Sequence, residues 1–236
     1  MKPPLAIIGF GPSRVVAPWH DATVHIWGLN GGHMLPQAHV RPDGFRADAW
    51  FQIHPPEACN LAELDWMAQL EAGVLNVPTY VREADRAYWE RTYPQAGARL
   101  LFRTFPMDVL RRKFPGAVGY ANTFCLELAL ALLMGYTEVG LYGVECTGWG
   151  REVAVERVGL AYWIGVLHAH DVKLNLPTDT TLLYPEIYGL DYWAEARKAA
   201  DITERVLPMD LMEDRENLST IAAVNAAEES THAGNN

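Results

Sequence analysis

Five stretches of the chain carry residue types that could do chemistry together. Gly9-Phe10-Gly11-Pro12-Ser13 closes a short apolar run near the start of the chain. Glycines at a strand end let the backbone come close to a phosphate, and Pro12 suits the first turn of a helix because its missing N–H costs little there. Ser13 can hydrogen-bond an anion or cap that helix, whose N-terminus adds donors and the positive end of a dipole. Asn30 ends a second apolar run. His54, in "AWFQIHPPE", follows a third and can serve as base or acid near neutral pH, or can simply hold a turn. Asn122 and Thr123 open a long apolar helix, and Glu145 ends the strand after it. Glu145 could bind ribose hydroxyls, act as base or hold a cation. It could equally cap a helix or join a loop salt bridge.

The spacing rules out some familiar chemistry. A dinucleotide fingerprint needs G-x-G-x-x-G and an acidic residue about 20 positions on for the ribose. Here Arg14 stands at the third glycine position and the second run ends in Asn30. No P-loop lysine follows. A nucleotide site of another kind is favoured over a bare strand–helix turn. Arg151 and Arg157 could neutralise phosphate, and Arg157 could instead pair with a neighbouring acid. His168 and His170 in "HAHD" alternate as strand ligands would, but no third ligand is indicated, and a metal is not expected. Tyr184, Tyr188 and Tyr192 recur at helical spacing, as a core stripe or as a cover for a base. Asp48 starts its strand, at the end away from a ligand, and reads as a turn residue.

The elements that must position these groups follow from periodicity. "LAIIGF", "ATVHIWGLN", "ADAWFQI", "VLNVPTYV", "ARLLFRTF", "EVGLYGVEC" and "VKLNLP" read as strands, with Pro78 pushing the fourth to a sheet edge. "LAELDWMAQLEAG", "EADRAYWERTY", "MDVLRRKF", "NTFCLELALALLMGY" and "REVAVERVGLAYWIGVLHAH" read as helices, the fourth apolar all round except Glu127 and therefore buried. Strands alternating with helices predict an α/β domain with a mostly parallel sheet flanked by helices, over residues 1–193. A helical extension over 194–227 and a disordered tail over 228–236 follow.

The 236 residues are half apolar and one fifth charged, with a formal net charge of −10. Such a chain has ample length for a core and repels nucleic acid unless its cations cluster. The one cluster, Arg111-Arg112-Lys113, reads as a solvated helix face. The three cysteines, an odd number with no CxxC pair, point to a reducing compartment without a structural disulfide. No signal peptide or 18-residue apolar run is visible, so the expected location is the cytoplasm, a host's cytoplasm if the gene is carried by a phage. A small-molecule ligand is expected, and a homo-oligomer is compatible with the sequence.

"IIGFGPS", the second strand ending in Asn30, and "NTFCLELALALLMGYTEVGLYGVE" resemble the bacterial sialyltransferases of glycosyltransferase family 42. They also resemble the related group of motility accessory factors and archaeal 6-hydroxymethylpterin diphosphokinases, and small phage-encoded proteins. "VKLNLPTDTTLLYPEIYGLDYW" is similar to the end of that domain. The resemblance implies a Rossmann-like, GT-A-like glycosyltransferase fold and a nucleotide or nucleotide-sugar ligand held by Gly9, Gly11, Pro12, Ser13, Asn30, Asn122, Thr123 and Arg157. It matches Glu145 to the acidic residue ending the "GVE" strand. Two departures matter. Phe10 stands where the sialyltransferase loop has asparagine. No histidine follows Glu145 where the sialyltransferase base lies; Arg151, Glu152, Glu156 and Arg157 stand there instead. The base is therefore expected at His54 or Glu145. The resemblance implies a glycosyltransferase. Its alternatives are a diphosphokinase of the hydroxymethylpterin type, which alone would need Mg²⁺, and a non-catalytic nucleotide-binding or sequestering protein.

Overall fold

A computed structural model describes residues 2–35, 45–145, 151–177 and 182, with side chains omitted for 151–154. Cys146, the three tyrosines of the stripe, the 1–193 boundary, the helical extension and the tail lie outside the described residues. Each apolar run of the sequence forms a strand: β1 Leu5–Ile8, β2 His25–Leu29, β3 Ala49–Gln52, β4 Thr79–Val81, β5 Phe102–Thr104, β6 Glu138–Tyr142 and β7 Lys173–Asn175. They build one sheet in the order β5-β4-β3-β2-β1-β6-β7, and every pairing is parallel. The helices between them are α1 Leu61–Glu71, α2 Glu83–Thr92, α3 Pro94–Ala98, α4 Met107–Lys113, α5 Thr123–Leu133 and α6 Arg151–Ala169. The fold is α/β, as the alternation of periods requires.

Both sheet faces are buried, so the strands read as continuous apolar runs rather than alternating ones. Leu5, Ile7, Trp27, Phe51, Val139 and Leu141 pack on one face with α5 and α6. On the other face Trp50, Val81 and Phe102 pack with Trp66, Met67 and Leu70 of α1, and Trp50 stacks on Trp66 at 4.1 Å between centroids. Trp27 lies in the core, as expected. Asp48 precedes β3 at the amino end of the sheet, where its carboxylate accepts from the Ile26 N–H at 2.8 Å, a turn role.

The expected edge position of the fourth strand is corrected. β4 lies between β3 and β5. Pro78 sits one residue before it and contributes its carbonyl to the Trp50 N–H at 2.9 Å, so its missing donor falls outside the ladder. The helix expected after GFGPS is also shorter than supposed. Pro12–Val16 forms a 3-10 turn, too short to carry much dipole.

α5 is buried as its composition dictates. Asn122 caps it, accepting from the Cys125 N–H at 3.0 Å, and Gly135 follows its last turn at φ +76°. Within it Glu127 is fully buried, and neither carboxyl oxygen has a hydrogen-bond partner among the described residues. Burial raises its pKa well above the usual carboxylate range, so the folded state holds the neutral acid. The unfolded chain titrates near about 4.3. Stability contributed by the neutral form is therefore complete below that value and falls as pH rises towards the folded pKa, by up to about 1.4 kcal/mol per pH unit. Glu127→Gln removes this loss. In urea melts from pH 5 to pH 8, the variant should gain on the wild type as pH rises; parallel curves would show that Glu127 does not titrate in the fold.

Candidate functional site

In an open α/β sheet the ligand crevice lies outside the carboxyl ends of the strands, where the strand order reverses. Here the chain runs outward from β1 to β5 and returns to place β6 on the other side of β1. The reversal therefore falls between β1 and β6, and the loops that follow them are Gly9–Ser13 and Gly143–Glu145.

Four bonds join these loops. Gly9 N–H donates to the Tyr142 carbonyl and Gly11 N–H to the Gly143 carbonyl, both at 2.8 Å. The Gly143 N–H donates to Ser13 Oγ at 2.8 Å, and the Ser13 N–H donates to Glu145 Oε1 at 2.9 Å. Glu145 fills the space beside Gly11: a Cβ there would stand 1.6 Å from Glu145 Oε2, so any larger residue must displace the carboxylate. Gly143 adopts φ +70°, and a Cβ on it would lie 2.7 Å from the Gly9 carbonyl oxygen. Arg14, at the position where a dinucleotide loop has its third glycine, donates to the carbonyls of Phe10 and Gly11 at 2.6 and 2.9 Å. The loop is thus shaped by its own side chains, and Glu145, only 2 % exposed, lies across it.

α5 starts at this end of the sheet, because it runs antiparallel to the strand it precedes. Its first-turn Phe124 ring packs where a Gly9 side chain would stand. Thr123 is buried beside it. Thus Gly9–Ser13, the start of α5 and Glu145, far apart in sequence, stand at the same end of the sheet.

Asn30 follows β2, next in the sheet, and adopts φ +49°, a conformation asparagine tolerates better than most residues. Three contacts hold it. The Trp50 indole N–H donates to its carbonyl at 2.9 Å, Gly31 approaches Ala62 too closely for a side chain, and His33 Nε2 meets Asp65 Oδ2 at 2.9 Å. Ala62 and Asp65 belong to α1. Phe10, 46 % exposed, extends from the β1 loop towards Gly32 of this turn.

His54 follows β3, the next strand again. Its Nδ1 lies 2.7 Å from Oε1 of Glu63, which is 1 % exposed, while the imidazole is half exposed. Oε2 of the same carboxylate accepts from the Asn60 N–H at 2.7 Å, and Asn60 Oδ1 accepts from the Glu63 N–H at 3.1 Å, a capping box that starts α1. A buried carboxylate on Nδ1 fixes the tautomer that leaves Nε2 as the acceptor, the arrangement of a general base. Cys59 beside it is no nucleophile: burial, with Glu63 nearby, pushes its thiol up to about 11.

Four buried side-chain polar atoms at these strand ends have no hydrogen-bond partner among the described residues: Gln52 Oε1 at the end of β3, Asn30 Oδ1 after β2, Glu145 Oε2 after β6 and Asn122 Nδ2 at the start of α5. Buried polar groups are normally paired, so these four atoms are the ones a polar ligand at this end of the sheet could meet; others without a partner among the described residues, those of Glu127, Trp89, Tyr120 and Trp163, lie elsewhere. Arg157 is half-buried on α6. His168 ends α6 and His170 follows it, with its ring edge-on to Phe114. Among the described residues no cluster of three or more metal-ligating side chains occurs, and no helix is long and apolar enough to cross a membrane. Glu63 and Gln52 escaped sequence reading; Asn60-x-x-Glu63 was a legible capping box, whereas nothing in the sequence marks Gln52.

No family model matches the chain, and no curated protein matches it. Among solved structures it is similar in fold to the sialyltransferase CstII from Campylobacter jejuni. The complex of that enzyme with a substrate analogue, cytidine-5'-monophosphate, aligns at 12% identity and a TM-score of 0.48, over 76% of this chain and 82% of that one. Its complex with CMP-3FNeuAc aligns at 12% identity and 0.43, over 74% and 79%.

The contact between Gly11 and Glu145 can be measured. Gly11→Ala should cost about 1–3 kcal/mol by overpacking. In a Glu145→Ala background the same change should cost at least about 1 kcal/mol less, because the carboxylate it strikes is gone. A double-mutant cycle by urea denaturation reads this coupling; additive costs would mean that Glu145 does not lie over Gly11.

Proposed function

We propose that the chain is a nucleotide-dependent transferase that moves a sugar from a nucleotide carrier to an acceptor hydroxyl. The observation that supports this most is a set of polar atoms without a partner among the described residues, Glu145 Oε2 and Asn122 Nδ2 beside the reversal point of the sheet and Asn30 Oδ1 and Gln52 Oε1 after the neighbouring strands β2 and β3. An amide oxygen and an amide N–H suit ribose and phosphate groups, and the start of α5 adds backbone donors for a phosphate. Phe10 offers an exposed ring against which a base can lie. The likeness of "IIGFGPS" and of the α5–β6 stretch to family 42 points the same way.

His54 is the proton acceptor in this reading. Its Nε2 removes the proton of the acceptor hydroxyl as that oxygen bonds the anomeric carbon. The bond from the anomeric carbon to the phosphate oxygen breaks, and the nucleotide leaves with the electron pair. Glu63 stabilises the imidazolium that forms. Adjacent parallel strands lie about 4.8 Å apart, so the end of β3 stands roughly 10 Å from that of β1, the span of a bound sugar. Glu145, expected as an alternative base, is engaged with the Ser13 N–H, and its role here is to hold the loop until a phosphate replaces it.

A second reading, a diphosphokinase acting with Mg²⁺ on a hydroxymethyl acceptor, draws on one observation. The unpartnered Oε2 of Glu145 is a hard oxygen at the phosphate loop, the kind a magnesium ion takes. Formation of AMP from ATP in the presence of Mg²⁺ supports it; release of free nucleotide from a sugar nucleotide supports the first reading. Tight binding without turnover would make the protein a sequestering one.

Thermal-shift assays with cytidine, uridine, guanosine and adenosine phosphates test the common premise, since a ligand bound only by the folded state raises its stability. A shift with at least one is expected, and none at millimolar concentration would overturn both catalytic readings. Glu145→Gln should bind that nucleotide several-fold more tightly, because a like charge beside the phosphate is removed. His54→Ala should lower turnover by about 10²–10⁴ while leaving the nucleotide dissociation constant unchanged.

A further inference from the structure

The helical layer over one sheet face stops short at the amino end. Tyr80 of β4 is only half-buried and Arg103 of β5 is exposed on the face that β1, β2 and β6 bury under α5 and α6. The gap is a cleft of about 380 Å³. Ala49, paired with Trp27 on one side and next to Pro78 on the other, forms its floor, its small side chain leaving the hollow, while Tyr136 and Met134 after α5 form a wall. Lys2, His25, Asp48, Ala49 and Pro78 set it towards the amino ends of the strands, whereas the site described above lies where strands end.

The charges in this cleft run against those of the chain. Lys2, His25, Asp48 and Arg103 are its titratable groups besides the tyrosines. Asp48 is already engaged, by the Ile26 N–H and by Arg46 at 3.4 Å. Lys2 lies over the Tyr136 ring at 4.6 Å, a cation–π contact that leaves its N–H groups available. Arg103 has no hydrogen bond or ion pair among the described residues. The Tyr136 hydroxyl lies 2.7 Å from His25 Nδ1. Burial, with Asp48 nearby, pushes that phenol up to about 12, so it keeps its proton and can donate it to Nδ1, which leaves Nε2–H as a donor. In a protein of net charge −10, a hollow with two cations that no carboxylate pairs among the described residues, a further N–H donor and the half-buried Tyr80 ring, backed by the buried Trp27 and Tyr136, selects for an anion with a flat apolar body.

We propose that this cleft is a second ligand site, at the opposite end of the sheet from the nucleotide crevice, and that it takes a small aromatic carboxylate. The ring lies over Ala49 among Trp27, Tyr80 and Tyr136, and the carboxylate meets Arg103 in a two-point bond with Lys2 alongside. The volume suits one ring system with its acid group, at the lower end of small-molecule sites. Phosphate would satisfy the cations but not the rings, and acetate likewise. The inference does not depend on the transferase reading, because no residue is shared.

Isothermal titration with indole-3-carboxylate, benzoate, acetate and inorganic phosphate tests it on the full chain. Indole-3-carboxylate and benzoate should bind at submillimolar concentration, and acetate and phosphate at least tenfold more weakly. Arg103→Gln, a change at an exposed position, should weaken the aromatic acids about tenfold. Ala49→Leu, which fills the floor, should abolish their binding, and neither variant should alter nucleotide-induced stabilisation. The proposal is overturned if neither aromatic acid binds the wild type, if acetate binds as well as benzoate, or if Arg103→Gln binds both acids with wild-type affinity. That last criterion holds even if Ala49→Leu fails to fold.

Discussion

The parallel pairing of β1 with β6 is the constraint from which the rest of the site follows. It sets two loops side by side at the reversal point of the sheet, each with backbone groups the other can satisfy. The ladder is continued past the strands by Gly9 and Gly11, which donate to Tyr142 and Gly143, and is then returned through Ser13 Oγ and Glu145 Oε1. Every group in this closure is buried or nearly so, where a missing partner costs about 1–3 kcal/mol. At Gly9 and Gly143 backbone meets backbone, and at Gly11 the Glu145 carboxylate takes the place of a side chain. In this molecule these glycines serve the β1–β6 contact first, and any approach to a ligand is built on that contact.

α1 performs the matching task on the other side. It braces the turn that keeps Asn30 in its left-handed conformation, through Ala62 and Asp65, and it carries Glu63, which orients His54. The capping box makes both roles depend on one local event. Glu63 starts the helix by accepting from the Asn60 N–H, and its second oxygen fixes the imidazole. A helix start is thereby coupled to a candidate base on the next loop, without a long-range network. Trp50 adds a further tie, since its ring stacks on Trp66 of α1 while its indole N–H holds the Asn30 carbonyl.

The strands and helices were legible because their apolar runs are bounded by Gly, Pro and Asn, and because α5 carries one acid in an otherwise apolar run. The order of the sheet was not legible. Pro78 suggested an edge, yet a proline one residue ahead of a strand removes no ladder bond, and periodicity cannot tell one residue inside from one outside. Gly9–Ser13, Asn30 and Asn122–Thr123 could be singled out as candidates from their types, the ends of their runs and the family resemblance, and the structure sets them at the carboxyl end of the sheet. What lies between them could not. That Glu145 bonds the Ser13 N–H spans 132 positions, a pairing set by topology. Glu63 was half-visible, as a cap but not as the partner of His54. Gln52 read as one more residue of a buried strand.

If the β1 loop takes a phosphate, as proposed, the Glu145 carboxylate lying across it changes the energetics of what can enter. In the free protein the Ser13 N–H is satisfied by Glu145, so an incoming phosphate does not gain a fresh hydrogen bond but exchanges one acceptor for another. Only a ligand whose oxygen is at least as good an acceptor, and which brings further contacts to Asn30, Asn122 and the start of α5, gains from the exchange. A neutral nucleoside lacks the acceptor and leaves Glu145 in place. A phosphate offers it but meets a like charge until the carboxylate withdraws or is neutralised. In the proposed nucleotide reading, the crevice would discriminate by what its ligand must displace, and the contact that holds the loop together would also set its selectivity.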